Sequence, residues 1–157
     1  MDQWRKLNGQ QLELPIVEEV EKVIIREKKA GFQLKICVGT DSLVKGDVVQ
    51  YATVVVFLRK GKGGFMFIKS SKEQSQVALK QRMMNEVAKS IDIAYRLSSV
   101  IQKHDIDLEV HADINTDPEF KSNSALKDAM GYILGMGFVF KAKPSAFASS
   151  SCADKVL

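Results

Sequence analysis

The chain has 157 residues, a formal net charge of +4, 45% hydrophobic and 27% charged residues, the make-up of one soluble globular domain with a full core. No apolar run approaches the roughly 20 residues of a membrane span, and the polar stretch Met1 to Gln11 lacks the apolar centre of a signal peptide. Two cysteines, Cys37 and Cys152, without CxxC spacing argue against a zinc site or a disulfide framework, so the expectation is a single domain over 1–157 in a reducing cytoplasm, with no membrane partner.

Residues 1–14 read as a polar lead-in. Pro15 suits the first turn of a helix, and Ile16, Val20, Val23 and Ile24 give an amphipathic helix over 15–30 that Gly31 ends. Its charged residues, Glu18, Glu19, Glu21, Lys22, Arg26 and Lys28, read as a solvated face. Three strand signals follow: 34–40 (LKICVGT), 48–58 (VVQYATVVVFL) and 65–69 (FMFIK). Turns at 44–47 and at 61–64 (GKGG) are short, so the three strands form an antiparallel meander. A long helix is predicted over 76–103, with Leu79, Met83, Val87, Ala94, Leu97 and Ile101 on one face and Glu86 at the border of that stripe. Residues 107–115 (DLEVHADIN) alternate strictly, which sets Leu108, Val110, Ala112 and Ile114 against Glu109, His111, Asp113 and Asn115. Thr116, Asp117 and Pro118 break that strand, and Ser122 or Ser124 can cap the next helix, whose apolar positions are Leu126, Ala129, Met130, Ile133 and Leu134. Gly135 and Gly137 close it, 138–141 is a short last strand, and Pro144 opens a final helix that carries Asp154. The order helix, β-β-β, α, β, α, β, α is that of an α/β protein. It predicts a five-stranded mixed sheet, antiparallel in its first half and parallel in its second, flanked by helices and preceded by an extra N-terminal helix.

Four acids stand out within this frame. Asp41, Glu86, Asp113 and Asp154 each fall at the end of a predicted strand or on the inner edge of a predicted helix. Desolvating a carboxylate costs several kcal/mol, and converging carboxylates repel each other unless a cation joins them. Hard oxygen donors of this kind suit Mg²⁺ or Mn²⁺, and the chemistry such a site serves is phosphoryl transfer. Charge distribution points the same way. Between Arg59 and Arg82 stand seven basic residues and one acid, a net of +6, which leaves −2 for the rest of the chain. A basic stretch beside an acidic site fits a polyanion that must reach metal ions, although lysines also serve as protection on exposed strands.

The element order matches that of the ribonuclease H-like fold. The strings VGTDS (38–42), GKGG (61–64), HADIN (111–115), GYILGMGF (131–138) and ADK (153–155) resemble a narrower group within it, the YkuK-like family, small bacterial proteins regarded as predicted ribonuclease H-related nucleases. The resemblance covers about 36–155. It implies that Asp41, Glu86, Asp113 and Asp154 are both the catalytic and the metal-binding residues of a two-ion site for Mg²⁺ or Mn²⁺. Asp41 would bridge both ions, Asp113 would ligate one, and Glu86 and Asp154 would reach in from helices. The implied activity is hydrolysis of phosphodiester bonds in RNA, DNA or a hybrid; the competing reading is a nucleic-acid-binding module that keeps the fold without turnover.

Bland alternatives stand beside each of these residues. Asp41 could start a turn, Glu86 could pair with Lys89 or Arg82 on a helix surface, Asp113 could face solvent, and Asp154 could be an ordinary helical acid near the chain end. His111 and Asn115 are candidates for the layer around the metal ligands, or a satisfied histidine and a turn residue. Lys62, Lys72, Arg82 and Lys155 are candidates for nucleic-acid contact. Cys37 reads as a small core residue, and Trp4 as an anchor or a partner contact. An actin-like ATPase is disfavoured because that architecture needs two such halves, and a dinucleotide site because no GxGxxG follows the first strand. Nothing in the sequence sets the substrate class or the oligomeric state.

Overall fold

Long β-branched runs with two-residue periodicity build the centre of the molecule, and a computed structural model describes it over residues 3–74, 78–112, 123–143 and 145–157, with the backbone alone for 123–126, 129 and 130. The elements are β1 (Arg5–Lys6), α1 (Ile16–Lys29), β2 (Leu34–Lys45), β3 (Val48–Arg59), β4 (Gly64–Gln74), α2 (Leu79–Lys103), β5 (Asp107–Ala112), α3 (Asn123–Gly135), β6 (Val139–Lys141) and a C-terminal π-helical segment (Ala148–Ala153). They form one mixed sheet in the order β1-β4-β3-β2-β5-β6. The β2–β3 and β3–β4 pairs are antiparallel, whereas β5 runs parallel to both β2 and β6. The expected antiparallel and parallel halves are therefore present.

The sheet has six strands where five were expected. The additional one lies in the polar lead-in, where Arg5 and Lys6 pair with Ile68 and Phe67. Trp4 is the physical reason: it is buried in the main core, and its carbonyl accepts from Leu12 N–H, which pins the lead-in against the edge of β4. Other boundaries move. β2 extends past Thr40 to Lys45, leaving a two-residue connection at Gly46 and Asp47, where Gly46 adopts φ 62°, and β4 runs on from 69 to Gln74. The long helix begins at Leu79, because Ala78 is extended at ψ 157°; Gln76, its expected first residue, lies outside the described residues.

Alternation gives the sheet two unlike faces. On one, Ile36, Val38, Val55, Phe57, Phe67, Leu108 and Val110 pack under α1 and α2, joined by Val20, Ile24, Ala94 and Leu97. On the other, Cys37, Val54, Val56 and Ile68 meet the π-helical segment through Ala148 and Ala153, with Phe147 and Val156 packed at its two ends. The four predicted core positions of α1 are all buried, and Glu19, expected on the solvated face, and Glu27 are buried on the same stripe. Glu27 is held by Arg59, whose Nη2 and Nε donate to its two oxygens at 2.6 and 2.9 Å. Leu79, placed in the α2 core stripe by its spacing, is exposed instead, since it begins the helix beyond the sheet.

Candidate active site

The site is set by β2, the central strand. Even-numbered residues of β2 face α2 and odd-numbered ones face the π-helical segment. Gly39 makes that second face work: a Cβ there would lie 2.6 Å from the Ala148 carbonyl carbon and from Ser149 N, so only glycine lets the segment rest on the strand. The segment itself is built of small residues, and two of its three serines spend their hydroxyls locally, Ser149 and Ser150 Oγ both donating to the Ala146 carbonyl at 3.1 and 2.9 Å. π-helical turns recur at functional sites.

Two residues beyond Gly39 stands Asp41, 8% exposed. It does not end its strand as expected, because β2 continues to Lys45 and Asp41 pairs with Ala52 of β3. What changes at Asp41 is the other neighbour, since the described register with β5 runs only to Thr40 and Ala112. Asp113 is the next residue in the chain after Ala112; it and Asn115 lie outside the described residues. Asp41 Oδ1 accepts the Ser42 N–H at 2.8 Å.

Glu86 reaches β2 from the opposite side. It is 7% exposed on the inner face of α2, and its Oε2 accepts the Ser42 hydroxyl. Its expected border position on the helix thus turns out to be an inner one. A set of hydroxyl and amide contacts holds α2 at this height. Thr40 Oγ1 meets Ser90 Oγ at 2.7 Å and Thr53 Oγ1 at 3.0 Å, and Asn85 Nδ2 donates to the Tyr51 hydroxyl at 3.2 Å. Lys89 Nζ lies 4.7 Å over the Tyr51 ring and 3.0 Å from Glu73 Oε1.

The remaining candidates fall in different places. Asp154 is exposed and caps the C-terminal end of the π-helical segment. Lys155 follows it, also exposed. Lys72, exposed on β4 opposite Gln50, shares the sheet face of Asp41. Arg82 lies one turn before Glu86 on α2, half-buried, and its buried Nε takes no hydrogen bond among the described residues. Lys62 sits in the β3–β4 connection, next to the strand ends at Leu34 and Arg59. Seven residues of strand separate Leu34 from Asp41, roughly 23 Å, so the GKGG turn is remote from Asp41.

His111 is not beside solvent but buried, 1% exposed, between β5 and the π-helical segment. Its Nδ1 accepts the Ala148 N–H at 3.1 Å, which leaves Nε2 to carry the proton and donate to Glu109 Oε1 at 3.0 Å. Phe147 packs edge-on against the ring at 4.7 Å. Cys37, Glu109 and His111 bring ligand-type atoms within 4.8 Å of one another, the grouping of that kind found among the described residues. Its chemistry is that of a closed network. Burial, aided by the Glu109 charge, pushes the Cys37 thiol up to about 12, so it keeps its proton. Burial lowers the His111 pKa, against the opposing pull of Glu109. Burial would raise Glu109, but hydrogen bonds from His111 and Lys35 outweigh it and hold the carboxyl below its ordinary value. Both imidazole nitrogens and the thiol are thus committed as they stand, and a metal would have to displace the Ala148 contact to bind.

Sequence reasoning passed over Ser42 as a contact residue and did not anticipate the Thr40, Thr53 and Ser90 hydroxyl set. The only available signal was the run of hydroxyl-bearing residues at alternate β2 positions facing α2. Asp41 and Glu86 supply hard, buried carboxylate oxygens, a donor set that suits Mg²⁺ or Mn²⁺. No helix among the described residues is long and apolar enough to cross a membrane. A family model described as Ribonuclease H-like matches residues 15–157. No curated protein matches the chain.

Proposed function

The chain belongs to the ribonuclease H-like family, and from that premise we propose that it is a metal-dependent nuclease, a single cytoplasmic domain over 1–157 that hydrolyses phosphodiester bonds of RNA, DNA or their hybrid. The observation that carries this reading is the pair of buried carboxylates at the middle of the sheet. Asp41 and Glu86 come from different elements and opposite sides of β2, yet both bond to the same residue, Ser42. Burying two acids there is costly for stability, which is the signature of a site kept for chemistry.

In this reading Asp41 and Glu86 hold the metal with Asp113, the residue that follows β5, and Asp154, presented by the last helical segment. Two Mg²⁺ or Mn²⁺ ions bound to such a set would supply an activated water and stabilise charge on the phosphate and the departing oxygen. The protein's own part is positioning. Asp41 is fixed by a strand paired on both sides up to Thr40, and Glu86 by a helix bonded to that strand. His111 supports the site from outside, by anchoring the start of the π-helical segment at Ala148. In the same reading Lys72, Lys155 and Arg82 would meet the phosphates of a nucleic acid, and Asn115 would orient a water. Binding through cation–phosphate contacts weakens as salt rises.

The test is cleavage of labelled RNA, DNA and hybrid substrates by the purified chain with Mn²⁺ or Mg²⁺, run alongside Asp41→Asn and an EDTA control. Cleavage that disappears in both controls supports the nuclease and reveals its substrate class. Binding without cleavage, equal in wild type and Asp41→Asn, would instead favour the non-catalytic binding module.

A further inference from the structure

We infer that Ser42 is the positioning residue that sets the distance between the two buried carboxylates, and that this single serine tunes the affinity of the site for its metal. The inference rests on the metal-site reading above. Ser42 acts with two different groups in two directions. Its backbone N–H donates to Asp41 Oδ1 at 2.8 Å, and its side-chain hydroxyl donates to Glu86 Oε2. It is itself buried, 8% exposed. A carboxylate held by a neutral donor keeps its charge and its second oxygen's orientation while losing rotamer freedom, which is how groups around a metal ligand raise metal affinity.

The neighbouring contacts separate this role from general bracing. Two residues earlier on the same strand and face, Thr40 bonds Thr53 and Ser90 and so ties α2 to the sheet. One strand over, Tyr51 pairs with Ser42 across the β2–β3 ladder and takes its own contact from Asn85, the residue before Glu86. The helix is thus braced by Thr40, Ser90, Tyr51 and Asn85, whereas Ser42 bonds both acids. Replacing it with alanine removes the hydroxyl but leaves the N–H on Asp41, so Glu86 is loosened selectively.

The experiment is calorimetric titration of the full metal-free chain with Mn²⁺, using wild type, Ser42→Ala, Ser42→Thr and Thr40→Val, with thermal unfolding of each metal-free protein alongside. Ser42→Ala is expected to weaken Mn²⁺ binding about tenfold or more, the usual effect of removing a partner of a metal ligand, with melting close to wild type. Ser42→Thr restores the hydroxyl and most of the affinity. Thr40→Val lowers the melting temperature and weakens Mn²⁺ binding less than Ser42→Ala does. Wild-type affinity in Ser42→Ala overturns the inference, as does an equal loss in Thr40→Val, which would make the effect one of loosened packing. Failure of the wild type itself to bind Mn²⁺ overturns the metal-site reading, and the role of Ser42 falls with it.

Discussion

The two faces of the sheet solve different problems. The α1/α2 face carries the apolar bulk, with Phe57, Ile24, Ile36 and Leu97 fully buried between strands and helices. The opposite face carries a small cluster, and its cover is a six-residue π-helical segment resting on the bare backbone of Gly39. One face is thick and tolerant in the way of large cores; the other is thin, and the positions of Asp41 and Asp154 depend on backbone approaching backbone. The lesson is that stability and geometry are separable here. Substitutions in the apolar bulk of the first face should unfold the protein with the site intact, and a substitution that lifts the π-helical segment should disturb the site beyond its cost in stability.

The largest expected effect is Leu97→Ala. Its side chain is completely buried in the main core, so truncation should cost about 2–5 kcal/mol in urea unfolding. Below the transition, the folded fraction should still bind Mn²⁺ as wild type does. Loss of metal binding in folded Leu97→Ala would break the separation.

Gly39→Ala attacks the thin face. The added methyl meets backbone rather than a flexible side-chain end, so the π-helical segment must lift, at a cost of about 1–3 kcal/mol. Cleavage should fall more than stability does, because the displaced segment carries Asp154. Wild-type turnover in this variant would show that the segment's seat is irrelevant to the site.

His111 gives the comparison a pH dependence. Its pKa in the folded protein lies below the ordinary 6.5, so the unfolded chain takes the proton first. The stability it contributes is fully present above about 6.5 and is lost as pH falls through the folded value. Glu109, also lowered, contributes above its ordinary 4.5, and that share is lost further down the acid range. His111→Gln should flatten the upper part of the decline and, by weakening or removing the acceptor of Ala148 N–H, lower stability near neutrality by about 1–3 kcal/mol. Urea midpoints from pH 8 to pH 5 would check this; an unchanged slope would contradict it. The smallest effect is that of Thr40→Val, about 1 kcal/mol for lost hydrogen bonds between isosteric side chains.

Much of this architecture was legible in the sequence, and the reasons are local. The β-branched run 48–58 and the strict alternation from Asp107 state their own secondary structure and faces, and α1's four apolar positions are all in the core. What was missed depends on contacts distant in sequence. β1 exists because Trp4 is buried against a core made by later elements, a fact no two-residue window contains. Alternation correctly set His111 apart from the apolar face, but the polar side of a strand reads as solvent until something covers it, and the cover comes from residue 147 onward. Lys62 looked suited to phosphate by its glycine-flanked motif; only the strand register reveals that it sits at the far end of the sheet from Asp41. Asp41 and Glu86 were singled out, and both are buried; Ser42 was not, because a serine after an aspartate says nothing of a helix more than forty residues away.

The central claim is that chemistry resides with Asp41 and Glu86 rather than with the closed Cys37, Glu109 and His111 network. Its most direct test is the Mn²⁺-dependent cleavage rate of Glu86→Gln against that of His111→Gln, measured on whichever nucleic acid the wild type cuts. The account predicts that Glu86→Gln abolishes turnover while His111→Gln, compared at a pH where it is folded, still cleaves. Turnover that survives in Glu86→Gln and vanishes in folded His111→Gln, or a wild type that cuts none of the substrates, would contradict it.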